Sequence, residues 1–195
     1  DAAFYAEAAA TPAVREELRR AAMATSATEL RRVSVQDALA INDAGLVVGW
    51  AEGATSRWAF LWDGQQYTNL GIPPGGLYTE AEDINNQGQV VGVWGGGSGY
   101  PSSQGFLWQD GVMYDLGPLF ETSDGGANGI NDSSGVTGWR GDSLVLDAHA
   151  VTWADDSLFD LGPIPGGFAS GGTAINEQGA ICGTGRVAHP DYSIG

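Results

Sequence analysis

The side chains able to do chemistry are few, and they are scattered. Asp147-Ala148-His149 sets a carboxylate two residues from an imidazole, with Ser143 close in sequence. On a strand, residues two apart share a face, so this is the spacing from which a hydrolytic Ser-His-Asp set would be built. No Gly-x-Ser-x-Gly elbow accompanies it to expose a strained nucleophile, and the sequence nominates no catalytic residue. Asp83-Ile84-Asn85-Asn86-Gln87-Gly88 alternates oxygen-bearing side chains before a glycine, a pattern that elsewhere wraps Ca²⁺. One carboxylate among neutral amides is a weak ligand set, and Asn and Gly are what a tight turn requires without any ion. The reading is therefore no metal and no cofactor. Trp58 and Tyr100, which do not recur at equivalent positions, are with His149 and Asp147 the candidate ligand-binding residues. The other histidine, His189 before Pro190, reads as a loop residue.

What positions these residues is a repeat. Ile41-Asn42-Asp43-Ala44-Gly45-Leu46-Val47-Val48-Gly49-Trp50 recurs around Ile84, Ile130 and Ile175 at intervals of 43, 46 and 45 residues. Each copy is an apolar residue, a polar turn closed by Gly and a β-branched run, which is the signature of a hairpin. An aromatic strand follows, ending at Trp62, Trp108 and Trp153, and then a shorter one in Tyr67 to Leu70, Met113 to Gly117 and Leu158 to Gly162. Loops such as Ile72-Pro73-Pro74-Gly75-Gly76 lead to the next copy. Four short strands in ~45 residues is the content of one propeller blade. Trp50, Trp94 and Trp139 end one set of strands, and by their recurrence read as core between units.

The expected fold is all-β: a β-propeller-like array of about three and a half four-stranded units over residues 33–195, preceded by an α-helical segment over residues 1–32. The units span about 33–76, 77–122, 123–167 and a partial 168–195. Thr11-Pro12 with Glu16 and Glu17 early and Arg19 and Arg20 late suits a helix and its dipole. Burial of Trp62, Trp108 and Trp153 at equivalent places is expected. By the period, another Trp would fall just past Gly195, so the fourth unit is expected to be completed by further chain, by a second copy, or by the N-terminal Phe4 or Val33 pairing near Cys182.

Composition narrows the partners. The net charge is −16 and all eight basic residues are arginines, five of them before residue 33. The repeat region carries the whole excess, which repels nucleic acid and anionic membrane. No stretch approaches the ~20 apolar residues of a membrane helix, and no signal-peptide pattern opens the chain. The single cysteine, Cys182, is expected as a small buried hydrophobe. Asp124, Asp132, Asp142, Asp147, Asp155 and Asp156 read as a solvated acidic surface.

The Ala-Ile-Asn turn with Val-Val-Gly, the Phe-Leu-Trp-Asp-Gly strand and the Asp-Leu-Gly and Gly-Gly loops resemble the bacterial extracellular repeats called HAF, over about residues 33–185. At the position of the family's His stand Trp58, Gln104 and His149, so the resemblance implies no catalytic histidine. It implies a propeller-like fold and secretion or cell-surface display. The function expected is a module for protein or glycan binding or structural assembly, more an interaction protein than an enzyme. Its partners would be other protein chains, in a homo-oligomer or filament, with glycan as the second candidate. The alternative is a carbohydrate-active hydrolase or lyase using two carboxylates on the propeller face.

Overall fold

The turn that follows each isoleucine sets the architecture. Asn42, Asn85, Asn131 and Asn176 each accept two backbone N–H groups on Oδ1, from the residues two and four further on, at 2.7–3.1 Å. That closes a hairpin and reverses the chain. In three turns the left-handed residue is a glycine, Gly45, Gly88 or Gly179, at φ 77–79°. In the third turn it is Ser134 at φ 62°, so Gly135 does not close that turn as the sequence suggested.

The computed structural model describes residues 34–53, 55–96, 103–117, 124–141, 147–154 and 157–187. The helix expected over residues 1–32 lies outside them, as do Val33 and Tyr100. The described residues form strands and loops only. β1 (Ser34–Ile41), β2 (Val47–Glu52), β3 (Arg57–Trp62) and β4 (Tyr67–Asn69) make an antiparallel meander. β5 (Gly76–Ile84), β6 (Val90–Gly96), β7 (Ser103–Gln109) and β8 (Val112–Asp115) make the second. β9 (Asp124–Ile130), β10 (Val136–Gly141), β11 (His149–Ala154) and β12 (Ser157–Gly162) make the third. β13 (Gly167–Ile175) and β14 (Ile181–Val187) pair as a two-stranded sheet, the described part of a fourth unit. One parallel bridge, Arg57 to Tyr78, ties the first meander to the second. The sheets do not close on one another.

Every first strand carries a β-bulge, at Leu39, Glu82, Asn128 and Thr173. The bulge turns a backbone carbonyl toward the second strand. A Cβ at Gly49, Gly92, Gly138 or Gly183 would lie 2.0–2.1 Å from that oxygen, and this is why each Val-Val or Val-Thr run ends in glycine.

Units stack through the first strand. β5 packs on β1, β2 and β3, β9 on β5, β6 and β7, and β13 on β9, β10 and β11. Val48, Ala59, Leu70, Ala81, Ile84, Val90 and Phe106 form one core across the first two units, and Val91, Ala127, Ile130, Val136, Val151 and Trp153 the next. The fully buried aromatic of the third strand is Phe60 or Phe106, with Val151 in the third unit. Of the expected tryptophans, Trp153 is buried and donates Nε1 to the Leu116 carbonyl at 3.0 Å, whereas Trp62 and Trp108 are half-buried.

Register corrects a second equivalence. Trp50 and Trp139 directly follow the glycine of the second strand, pairing Asp37 and Gly126, but the residue in that place in unit two is Val93, pairing Glu80. Trp94 is one position later, and in a strand one position is the opposite face. It packs back on the core shared with unit one.

Candidate functional site

The four repeated turns converge. Ile41, Ile84, Ile130 and Ile175, with Asn42, Asn85 and Asn176 and the acids Asp43, Asp132 and Glu177, line a cavity of about 400 Å³. Around it runs a ladder in one direction: Asn42 Nδ2 donates to the Asn85 carbonyl at 3.0 Å, Asn85 Nδ2 to Asn131 at 3.0 Å, and Asn131 Nδ2 to Asn176 at 2.9 Å. One side chain thus builds its own turn with its oxygen and fastens the next unit with its nitrogen.

A second ladder lies one residue further out. The Asp43 N–H donates to Asn86 Oδ1 at 2.9 Å, Asn86 N–H to Asp132 Oδ1 at 2.7 Å, and Asp132 N–H to Glu177 Oε1 at 3.0 Å. The Asn86 amide also donates to Asp43 Oδ2 at 2.9 Å and Asp132 Oδ2 at 3.0 Å, bridging two carboxylates that would otherwise repel. Oxygens that a Ca²⁺ loop would turn inward here accept N–H groups. Among the described residues no three His, Cys, Asp or Glu side chains are grouped to hold a metal.

Asp83 is the exception in this ring, for its counterparts are Ala40, Gly129 and Ala174. It is buried, accepting the Ile84 N–H on one oxygen and the Ile130 N–H of the next unit on the other, both at 2.9 Å. Burial outweighs those bonds and pushes its pKa up to about 6. Neighbouring Glu82 is also raised, by burial and then by Asp83. A carboxyl with a folded pKa above its unfolded one destabilises the fold once ionised. The contribution from Asp83 therefore falls as pH rises from about 4 to above 6, by a total on the order of 3 kcal/mol. Chemical denaturation at pH 5 and 7.5 should show the chain less stable at the higher pH, and Asp83→Ala, which restores the residue of units one and four, should flatten the difference. A profile unchanged by Asp83→Ala would remove Asp83 as its cause.

The remaining sequence candidates do not meet. His149 pairs with Asp160 rather than Asp147: Nδ1 lies 3.0 Å from both Asp160 oxygens, Arg140 Nη2 donates to Oδ2 at 2.6 Å, and the Gly162 N–H to Oδ1 at 2.7 Å. Burial works to raise the Asp160 pKa, but the bonds from Arg140 and His149 outweigh it and hold the group at about 2. This cluster clamps β10, β11 and β12 together. Asp147 is exposed, and Ser143 lies outside the described residues. Trp58 occupies in unit one the place of His149 in unit three, on a separate sheet, with its indole beside Gly53. Asp124, expected at the surface, is 2% exposed and accepts the Ser103 N–H at 3.3 Å. Asp132 stands in the outer ladder, and Asp142, Asp155 and Asp156 lie outside the described residues. The asparagine ladder was missed as a site because each Asn was fully explained by its own turn. Its recurrence after all four isoleucines was the available signal. Scanned against protein-family models the chain finds no match, and a search of the curated proteins finds none either.

Proposed function

We propose that these units are blades of a β-propeller-like repeat module of the HAF type, secreted or displayed at a cell surface, whose work is assembly with protein chains through unit-to-unit docking. The observation that carries this reading is the fate of one repeated position. Val48, Val91 and Thr137, facing the following unit, are fully buried, and Cys182, in the same place on β14, is exposed. The cysteine expected in a core thus sits on a docking face that nothing among the described residues covers. Beside it Asn176 occupies the position from which the three earlier asparagines reach the next unit. A further unit of the same kind, supplied by more of this chain or by another copy, matches that face in pattern.

The alternative of a carbohydrate-active enzyme has less support. Asp43, Asp132 and Glu177 accept N–H groups from neighbouring units, an arrangement that serves docking. Nucleic acid remains an unsuitable partner at a net charge of −16. Sedimentation across a concentration series, with thiol labelling of Cys182, tests the proposal. A mass rising above one chain with Cys182 becoming protected is expected. A single-chain mass throughout, with Cys182 equally reactive at every concentration, would overturn assembly between copies.

A further inference from the structure

The interface between units one and two and that between units three and four are built on the same tryptophan position, and they are filled differently. At Trp50 the Arg57 guanidinium sits 4.5 Å from the ring centroid and 5.8 Å from the centroid of Tyr78, and is paired with Glu80. The counterparts of Arg57, Tyr78 and Glu80 around Trp139, read from strand register, are Ala148, Ala169 and Gly171. Three large side chains are replaced by two methyl groups and a hydrogen. The result is a cavity of about 360 Å³ lined by Trp139, Ala148, Ala169 and Gly171, with Asn128, Thr184 and Arg186 among its polar residues.

We infer that this cavity binds a single sugar ring bearing a carboxylate, a hexuronate. The volume lies in the range of small-ligand sites, roughly 300–1,000 Å³, with one aromatic wall and a few polar groups. An indole accepts either a cation or a flat, C–H-rich face. The choice is made by charge: the acidic partner that holds Arg57 over Trp50 is absent here because Gly171 replaces Glu80, and Arg186 lines the cavity instead. A second cation would be repelled, whereas a carboxylate fits the guanidinium fork. The nearby positive group, Arg140, is already paired to Asp160, and Asp147 does not line the cavity. Asn128 donates Nδ2 to the Gly172 carbonyl at 2.7 Å and retains an oxygen able to accept from a sugar hydroxyl. This site stands independently of the assembly reading.

The test uses the full chain, titrated with glucuronate, galacturonate, glucose and a short arginine peptide, followed by tryptophan fluorescence and calorimetry. Saturable binding of a hexuronate in preference to glucose is expected. Arg186→Gln should weaken it on the order of tenfold without changing the response to glucose. Ala148→Arg with Gly171→Glu rebuilds the filling of the first interface and should abolish binding. A Cβ at Gly171 meets no atom closer than 3.6 Å, so the fold has room for the change, and Ala148→Arg alone serves if the pair melts early. No saturable hexuronate binding, binding that survives the filled cavity, equal affinity for glucose, or preference for the arginine peptide would each overturn the inference.

Discussion

Gly92→Ala is expected to cost at least about 3 kcal/mol and to lower the melting temperature by roughly 10 °C. The added methyl would lie 2.0 Å from the Glu80 carbonyl oxygen, 2.9 Å from the Ala81 Cα and 2.9 Å from the Phe106 ring. None of these is the loose end of a flexible side chain. The oxygen is fixed by the bulge at Glu82, and Phe106 is fully buried at the centre of the core that joins units one and two. Relief requires straightening the bulge, which would shift the register beyond it and turn Asp83 and Ile84 to the wrong faces. Gly171→Ala is the control, with nothing nearer than 3.6 Å to its new Cβ, and should stay within about 0.5 kcal/mol of the parent. Urea unfolding of the two variants side by side checks the claim. Equal effects would show that loss of a glycine as such, not the bulge carbonyl, governs the response.

Asn85→Ala is expected to lose about 3 kcal/mol, because it leaves several buried groups without partners at once. Asn85 is 4% exposed. Its oxygen accepts the Gln87 and Gln89 N–H groups, and its nitrogen donates to Gln89 Oε1 at 2.6 Å and to the Asn131 carbonyl at 3.0 Å. Water cannot readily replace these bonds between two packed units. Asn176→Ala removes the same turn bonds at an exposed hairpin and should cost about 1 kcal/mol or less. The contrast, read by denaturation, isolates the contribution of docking from that of the turn. Equal losses at the two positions would make the ladder an ornament of turn chemistry. In that case the case for unit-to-unit docking would rest on the apolar core alone.

Much of this fold is written locally. A turn needs Asn and a left-handed residue, a half-buried strand needs alternation, and both signals survive without any knowledge of neighbours. The four-strand unit, its three complete copies and its partial fourth were therefore legible, as was the surplus of acid. The candidate site was legible only in part. That Asn42, Asn85 and Asn131 also reach across units depends on the distance between turns that are more than forty residues apart in sequence.

By itself the sequence determined the period, the strand content and the hairpin chemistry, because these follow from φ preferences and side-chain alternation within a few residues. Tertiary structure alone decided which face each side chain shares and with whom. Strand pairing put Val93, not Trp94, in the place of Trp50 and Trp139, so that Trp94, one residue later, lies on the opposite face. Asp160 took His149 from Asp147 because antiparallel pairing brings β12 beside β11, closer in space than two positions along a strand. Packing buried Asp124 and exposed Cys182 against their residue types, since burial is set by the neighbouring unit and not by the side chain itself.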